Sequence, residues 1–160
     1  MRLQTKEQKN AEIQYRKKIS LLIRNKSGLD EWMKFQCSIL EKGIQYGLGS
    51  NLFNGKKILE LGSEAGHLSL FVLNKFNPAL IVASDMSDTL ISTASFLYSS
   101  AGFKKMPYMC ILDNIILPFK SESLDVVFSC NTLHHLPDLS ITFREVKRVL
   151  KKCGIFFMMH

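Results

Sequence analysis

The stretch "KKILELGSEAGHLSL", Lys56 to Leu70, decides the fold class of this chain. A short apolar run carries a carboxylate, Glu60, near its end, and two glycines, Gly62 and Gly66, lead into a run compatible with a helix. The order strand, glycine turn, helix is typical of a nucleotide-binding unit, because a glycine turn lets the backbone approach a ligand closely. The remaining sequence must then indicate which nucleotide the turn accepts.

The alternation of strand and helix continues along the chain. The expected strands are residues 57–61, 79–84, 106–112, 124–129 and 155–159, and the expected helices are residues 30–46, 65–76, 87–101 and 138–152. Asp30, Ser87 and Asp138 are the expected helix caps. Because the strands are apolar without polar alternation, we predict an α/β fold with a doubly wound, Rossmann-like parallel sheet that is covered on both faces.

Composition places the chain among ordinary globular domains. It has 160 residues, 46% of them hydrophobic and 22% charged, which suits a single core. Neither a membrane-spanning run nor a signal peptide is recognisable. The four cysteines have no zinc or disulfide spacing, so we expect free, buried thiols and a cytoplasmic protein.

The positive charge is concentrated near the N-terminus. The net charge is +7, and residues 1–26 hold eight Lys/Arg against two Glu. The apolar residues of this segment recur at helical spacing: Ala11, Tyr15, Ile19, Leu22 and Ile23. We interpret residues 1–48 as a helical arm or lid and residues 49–160 as the ligand-binding domain. The arm packs on the domain with a solvated basic back, or it contacts an anionic substrate or membrane surface; nucleic acid is not favoured.

The glycine turn does not fit the two commonest phosphate-binding patterns. The dinucleotide fingerprint requires glycines where Glu64 and His67 stand, and the phosphate loop of nucleotide triphosphatases also fails, which disfavours a nicotinamide oxidoreductase. An adenosine ligand with an amino-acid tail has different needs. Asp85, 25 residues beyond Glu60 and at the end of the next strand, could accept both ribose hydroxyls, and Asp113 could accept from an adenine amino group.

At these residues the chain resembles the class I S-adenosylmethionine-dependent methyltransferases, in particular the broad "methyltransferase domain" group that acts on small molecules and sugars. The matching pieces occur in the family's order and spacing and cover about residues 50–160. They are "ILELGSEAG" (58–66), "ASDMS" (83–87), "DNIILPFKSESLDVVFSCNTLHHLPD" (113–138) and "FREVKRVLKKCGIFF" (143–157). Each piece is weak alone, but the four in order are a specific signal.

The resemblance implies that the chain transfers a methyl group from S-adenosylmethionine to a small-molecule, sugar or lipid-linked acceptor. It implies these cofactor-binding residues: Glu60, Gly62 and Gly66 along the methionine tail, Asp85 at the ribose, Met86 on the adenine, Asp113 and Asn114 at the adenine edge, and Cys130 and Asn131 beside the methionine portion. His135 is the candidate base or acceptor-orienting group. Alternatively, one of His134 and His135 caps its loop while the other is solvated.

The chain departs from the family pattern in two places. Glu64 occupies the position of the middle glycine, and we expect its side chain to point outward or to pair with the ligand's amine. The family sheet usually has two further strands, so we expect either a truncated sequence or a partner or second copy on the apolar edge at residues 155–159. These departures keep a second hypothesis open, a non-catalytic module of the same fold that scaffolds a partner.

Overall fold

The computed structural model describes residues 14, 26–49, 51–100, 102–113, 115–136 and 138–159. These residues form one parallel sheet with helices on its two faces. The strands are β1 Lys57–Leu61, β2 Leu80–Asp85, β3 Tyr108–Ile111, β4 Leu124–Cys130 and β5 Leu150–Met159. The helices are α1 Lys26–Gly43, α2 His67–Lys75, α3 Asp88–Ser100 and α4 Leu139–Val149, with a π-helical turn at Ile44–Leu48 and a 3-10 turn at Leu133–His135.

The strand order is β3-β2-β1-β4-β5, and all four neighbouring pairs are parallel. The chain moves outward in one direction from β1 to β3 and then returns to the other side of β1 with β4. This reversal confirms the predicted doubly wound sheet. It also locates the topological switch point beside the carboxyl ends of β1 and β4, where ligands of such sheets bind.

Successive side chains of β1 enter different cores. Ile58 packs with Leu40 of α1 and Leu68 of α2 on one face, whereas Leu59 packs with Val146 of α4 on the other. All three strands β1, β2 and β4 are buried over most of their length. Burial on both faces explains why these strands read as continuous apolar runs without polar alternation. Within the described ranges, no helix combines the length and apolar character that a membrane span requires.

Two of the three predicted caps are confirmed. The hydroxyl of Ser87 accepts a hydrogen bond from Leu90 N (3.3 Å), and the carboxylate of Asp138 accepts one from Ser140 N (2.8 Å). The prediction for Asp30 was wrong, because α1 already includes Lys26 and Asp30 lies inside it. The helix includes Ser27 and Gly28. The amphipathic pattern between Ala11 and Ile23 lies outside the described residues.

The last helix ends three residues earlier than predicted. Leu150 adopts an extended conformation and pairs with Leu124, so β5 begins there and not at Ile155. The register between β4 and β5 shifts over the next residues, since Val126 pairs with Ile155. Lys151 and Lys152, which the predicted helix included, therefore lie in β5. All four cysteines are free, as predicted, but only Cys37 is buried; Cys110 and Cys130 are half-buried, and Cys153 is exposed.

β5 is an edge strand of the described sheet, and part of its apolar character faces outward. Ile155 and Met158 are 42% and 62% exposed. Phe157, by contrast, stacks on Phe128 with ring centroids 5.4 Å apart and belongs to the core. A strand with exposed backbone donors and acceptors and apolar side chains is a template for pairing with another chain.

We therefore expect the 160-residue chain to self-associate through β5, and Met158→Lys to shift it towards the monomer. A lysine on an open edge opposes strand pairing by charge and by desolvation cost. Sedimentation velocity at several concentrations measures the effect. Phe96→Lys is the matched control, because Phe96 is also exposed (72%) but lies on α3. A concentration-independent monomer for the unsubstituted chain would contradict the expectation.

Candidate functional site

The turns that follow β1, β2 and β3 are joined at Asp85, the last residue of β2. Ser63 N donates to Ser84 O (2.8 Å), and Glu64 N donates to the Asp85 carboxylate at Oδ2 (2.9 Å). From the other side, Leu112 N donates to Asp85 O (3.0 Å). The structure thus brings the predicted glycine turn and the predicted ribose-binding acid into direct contact.

The Asp85 side chain is buried and stabilises the surrounding loops by accepting their hydrogen bonds. Its two oxygens accept backbone hydrogen bonds from different loops, Oδ2 from Glu64 N and Oδ1 from Ser87 N (2.8 Å). Only 5% of the residue is exposed. Each carboxylate oxygen has a second lone pair, so hydroxyl groups of a ligand can still be accepted. The residue therefore both holds the turn and offers acceptors at the sheet edge.

Glu60 is the buried N-terminal anchor of α2. Its Oε2 accepts hydrogen bonds from Ser69 N (3.0 Å) and Ser69 Oγ (2.6 Å), so the carboxylate satisfies a free N–H of the helix's first turn. Burial raises the pKa of Glu60 to about 8; the hydrogen bonds from Ser69 oppose the shift, and the charges of Glu64 and Asp85 add to it. At neutral pH this carboxyl is therefore largely protonated in the ligand-free chain.

A narrow cleft lies between the β1 turn, the start of α2 and the end of β4. Its volume is about 20 Å³, enough for one water or one small polar group but not for a nucleoside. The Ser63 hydroxyl lines it, is buried, and has no hydrogen-bond partner among the described residues. The lining residues are Glu60, Gly62, Ser63, Glu64, His67, Leu68, Cys130 and Asn131. These eight residues define the cleft.

Besides Glu60, two further titratable groups of the cleft are uncharged at neutral pH. Burial lowers the pKa of His67 to about 4, so its imidazole is neutral. Burial raises the pKa of the Cys130 thiol to about 11, with further contributions from the charges of Glu60 and Glu64. Cys130 is therefore a thiol and not a thiolate, which excludes it as a strong nucleophile in this state.

Glu64 adopts the backbone conformation that the missing glycine would favour. Its φ is +51°, in the left-handed region that costs an L-residue about 1–2 kcal/mol. The residue is half-buried and lines the cleft, and its charge contributes to the raised pKa values of Glu60 and Cys130. The outward orientation expected for its side chain stays a prediction.

Gly62 lies against a residue that the sequence did not single out, Thr132. Gly62 has a φ of +67°, and a Cβ at this position would lie 2.0 Å from Thr132 Cγ2. Thr132 Oγ1 donates towards Gly62 O and Cys130 O, both at 2.9 Å. The missing side chain of Gly62 thus makes room for Thr132, which ties the turn after β1 to the end of β4.

Gly66 lies against the flexible side chain of Met109. It has a φ of +70° at the N-cap of α2, and a Cβ there would lie 2.9 Å from Met109 Cε. It is not among the residues that line the cleft. The sequence grouped it with Gly62 along one ligand, but the structure directs the two glycines towards different neighbours.

The predicted adenine-side residues lie next to Asp85 on the open surface. Met86 follows Asp85 and is 61% exposed. The Asp113 carboxylate accepts hydrogen bonds from Ile115 N (3.0 Å) and Ile116 N (3.4 Å), so it organises its own loop. Asn114 lies outside the described residues.

The residues after β4 complete the same edge of the sheet. Asn131 has a φ of +51° and donates its N–H to Met159 O (3.0 Å). His135 closes the 3-10 turn, is exposed, and donates its N–H to Thr132 O (2.9 Å). The side chain of His134 is not among the described side chains. Among the described side chains, no group of three His, Cys, Asp or Glu is placed to hold a metal ion.

Comparison with known protein families identifies the same region. The family described as "Methyltransferase domain" matches residues 59–158. An uncharacterized methyltransferase of Bacillus subtilis is 28% identical over 104 residues, covering 64% of this chain and 39% of the relative. A malonyl-[acyl-carrier protein] O-methyltransferase of Legionella pneumophila is 27% identical over 119 residues, covering 69% of this chain and 41% of the relative. The chain thus spans less than half the length of these curated relatives.

Solved structures share the fold. A methyltransferase of Haloferax volcanii, in a complex with the Trm112 methyltransferase activator, superposes with a TM-score of 0.69 at 16% identity. The match covers 88% of this chain and 58% of that one. At 16% identity, this likeness supports the fold of the sheet but says nothing about the reaction.

Proposed function

The chain belongs to the methyltransferase domain family, a class I S-adenosylmethionine-dependent group, and we propose that it binds this cofactor and transfers its methyl group to a small-molecule, sugar or lipid-linked acceptor. The observation that carries the proposal is the position of Asp85. Its buried carboxylate joins the turn after β1 to the loop that leads into α3, beside the switch point of the sheet. Ligands of doubly wound sheets bind at that point.

The residues present fit the polar parts of the cofactor. Asp85 would accept the ribose hydroxyls, Met86 would cover the adenine, and Asp113 would face the adenine edge. The cleft has room for one small polar group, and an ammonium group suits it because Glu60 and Glu64 supply carboxylates there and Ser63 has a hydroxyl to offer. The nucleoside lies outside the cleft in this arrangement, over the open surface beside Asp85.

The cofactor supplies a methyl group on a cationic sulfur, so the protein's contribution is mainly orientation of the two reactants. A base is needed only where the acceptor carries a proton. His135 is exposed at the same sheet edge, in the turn that follows β4, and we assign it this role or that of orienting the acceptor. The acceptor-binding surface extends from this turn.

A non-catalytic module of the same fold is the second candidate. Two observations favour it: the left-handed Glu64 in the cofactor turn and the exposed apolar residues of β5. The related Haloferax volcanii methyltransferase was solved in a complex with an activator protein. Such a module would bind a partner, with or without the cofactor, and show no methyl transfer to any acceptor.

Titration calorimetry tests the proposal, and we expect S-adenosylmethionine to bind with release of about one proton at pH 7. The pKa of Glu60 is raised to about 8 in the ligand-free chain, and a cationic group in the cleft stabilises its charged form. The proton therefore leaves on binding, and affinity rises between pH 6 and 8. Neutral His67, with a pKa lowered to about 4, does not contribute in this range.

Measurements in two buffers of different ionisation enthalpy give the proton count. Glu60→Gln is the matched variant, and it should bind with no proton release. NAD serves as the negative control ligand. Failure of S-adenosylmethionine to bind would overturn the proposal, and binding without transfer across a panel of hydroxyl, carboxyl and amine acceptors would favour the non-catalytic module.

A further inference from the structure

The cleft is acidic in a way that the glycine of the family pattern would not produce. Glu60 and Glu64 are two of its eight lining residues, and none of the eight is Lys or Arg. Asp85 adds a third carboxylate through its hydrogen bond with Glu64 N (2.9 Å). Glu60 is largely protonated before a ligand binds and His67 is neutral, so the negative charge at the cleft comes from the other carboxylates.

A second observation shows that the cleft is built to receive a polar group. The Ser63 hydroxyl is buried at 1% exposure, lines the cleft, and has no hydrogen-bond partner among the described residues. A buried hydroxyl without a partner is costly, and a ligand that bonds to it removes the cost. The cleft therefore combines negative charge with a vacant hydrogen-bonding position.

We propose that Glu64 is a specificity residue that makes this site favour the cationic sulfonium cofactor over the uncharged thioether product. The proposal rests on the proposed function. Its structural basis is that Glu64 is half-buried at the cleft, where its charge already influences Glu60 and Cys130 across the site. A glycine in its place would supply no charge.

The selection follows from the charge balance of methyl transfer. The acceptor's lone pair forms a bond to the methyl carbon, the carbon–sulfur bond breaks, and its electron pair stays on sulfur. S-adenosylmethionine loses its sulfonium charge and leaves as neutral S-adenosylhomocysteine, while the methylated acceptor gives up any proton that it carried. The ammonium and carboxylate of the tail are common to both ligands, so their interactions with Glu64 cancel in the ratio of the two affinities. What remains in the ratio is the sulfonium charge.

The test is the ratio of the dissociation constants of S-adenosylhomocysteine and S-adenosylmethionine, measured by calorimetry at low salt on the full chain. We expect Glu64→Gln to lower this ratio by about tenfold, the size expected for one charge pair about 6 Å apart at an effective dielectric of about 40. An analogue with an ammonium group in place of the sulfonium should follow S-adenosylmethionine. That result would assign the change to charge and not to the methyl group.

Glu122→Gln is the matched control. Glu122 is also a glutamate with positive φ (+54°), but it precedes β4 at the opposite end of the sheet from the cleft. Glu122→Gln should leave the ratio of the two dissociation constants unchanged. Glu64→Gly provides a second variant that suits the left-handed turn if the glutamine variant folds poorly, and it should lower the ratio in the same way.

An unchanged ratio in a folded Glu64 variant would overturn the inference while leaving cofactor binding, and so the proposed function, intact. The inference is also overturned if a Glu64 variant weakens the binding of S-adenosylhomocysteine as much as the binding of the two cationic ligands. Failure of the unsubstituted chain to bind either ligand would instead remove the proposed function, and this inference with it.

Discussion

Gly62→Ala is expected to destabilise the folded chain by about 3 kcal/mol. Two costs combine, since an L-residue at a φ of +67° is strained and its Cβ would lie 2.0 Å from Thr132 Cγ2 and 2.6 Å from Thr132 Cβ. Those atoms belong to a short β-branched side chain that is itself hydrogen-bonded to the turn, so they cannot swing aside easily. Chemical denaturation of the ligand-free protein measures the loss.

Gly55→Ala separates the two costs. Gly55 has nearly the same φ, +68°, but a Cβ there would meet no atom within 4 Å. It should lose only the conformational part, about 1 kcal/mol. Combining Gly62→Ala with Thr132→Gly should recover stability relative to the sum of the single substitutions. Equal losses at Gly55 and Gly62 would show that Thr132 does not pack against the turn as described.

Asp85→Ala is expected to cost about 3 kcal/mol of stability even without a ligand. It removes the acceptor of Glu64 N and Ser87 N and leaves two N–H groups of partly buried loops unsatisfied. A solvent-facing acid at a strand end would have no such effect, but only 5% of Asp85 is exposed. Thermal and denaturant unfolding of the ligand-free protein measure the change.

The same substitution is expected to weaken S-adenosylmethionine binding by about 1.5–3 kcal/mol, the range for hydrogen bonds to a charged group. Asp125→Ala is the matched control, because Asp125 also accepts a backbone hydrogen bond, from Lys57 N (2.8 Å), but near the start of β4. It should lower stability without changing the affinity. Normal cofactor binding by a folded Asp85→Ala protein would remove Asp85 from the site.

Short-range patterns were enough to predict the three buried strands β1, β2 and β4. β1 was predicted at its observed bounds, and β2 and β4 within one residue, because a buried parallel strand is a local apolar run between turn residues. The predicted caps at Ser87 and Asp138 are also local, since a cap bonds to an N–H two or three residues away. The predictions failed where pairing with a distant strand overrode local preference, as at Leu150, which joins β5 because Leu124 lies beside it.

The residues of the candidate site also divide into those that local sequence predicted and those that it missed. Glu60, Gly62 and Asp85 could be proposed from their places at strand ends, because the carboxyl ends of parallel strands meet at one edge. Ser63, His67 and Thr132 were missed. Ser63 and His67 adjoin the two glycines, which is a weak signal, whereas Thr132 meets Gly62 through a contact between residues 70 positions apart. No local sequence pattern predicts a contact between residues so far apart in the chain.

The sequence by itself determined the order of strands and helices, the parallel sheet and the family, because these depend on periodicity, turn residues and motif spacing within short segments. Only the tertiary structure decided that Asp85 holds the β1 turn, that Thr132 fills the space of a missing side chain, and that Glu64 lines the cleft. Each of these depends on where side chains from separate strands converge. Packing between distant segments sets that geometry, and no local pattern in the chain encodes it.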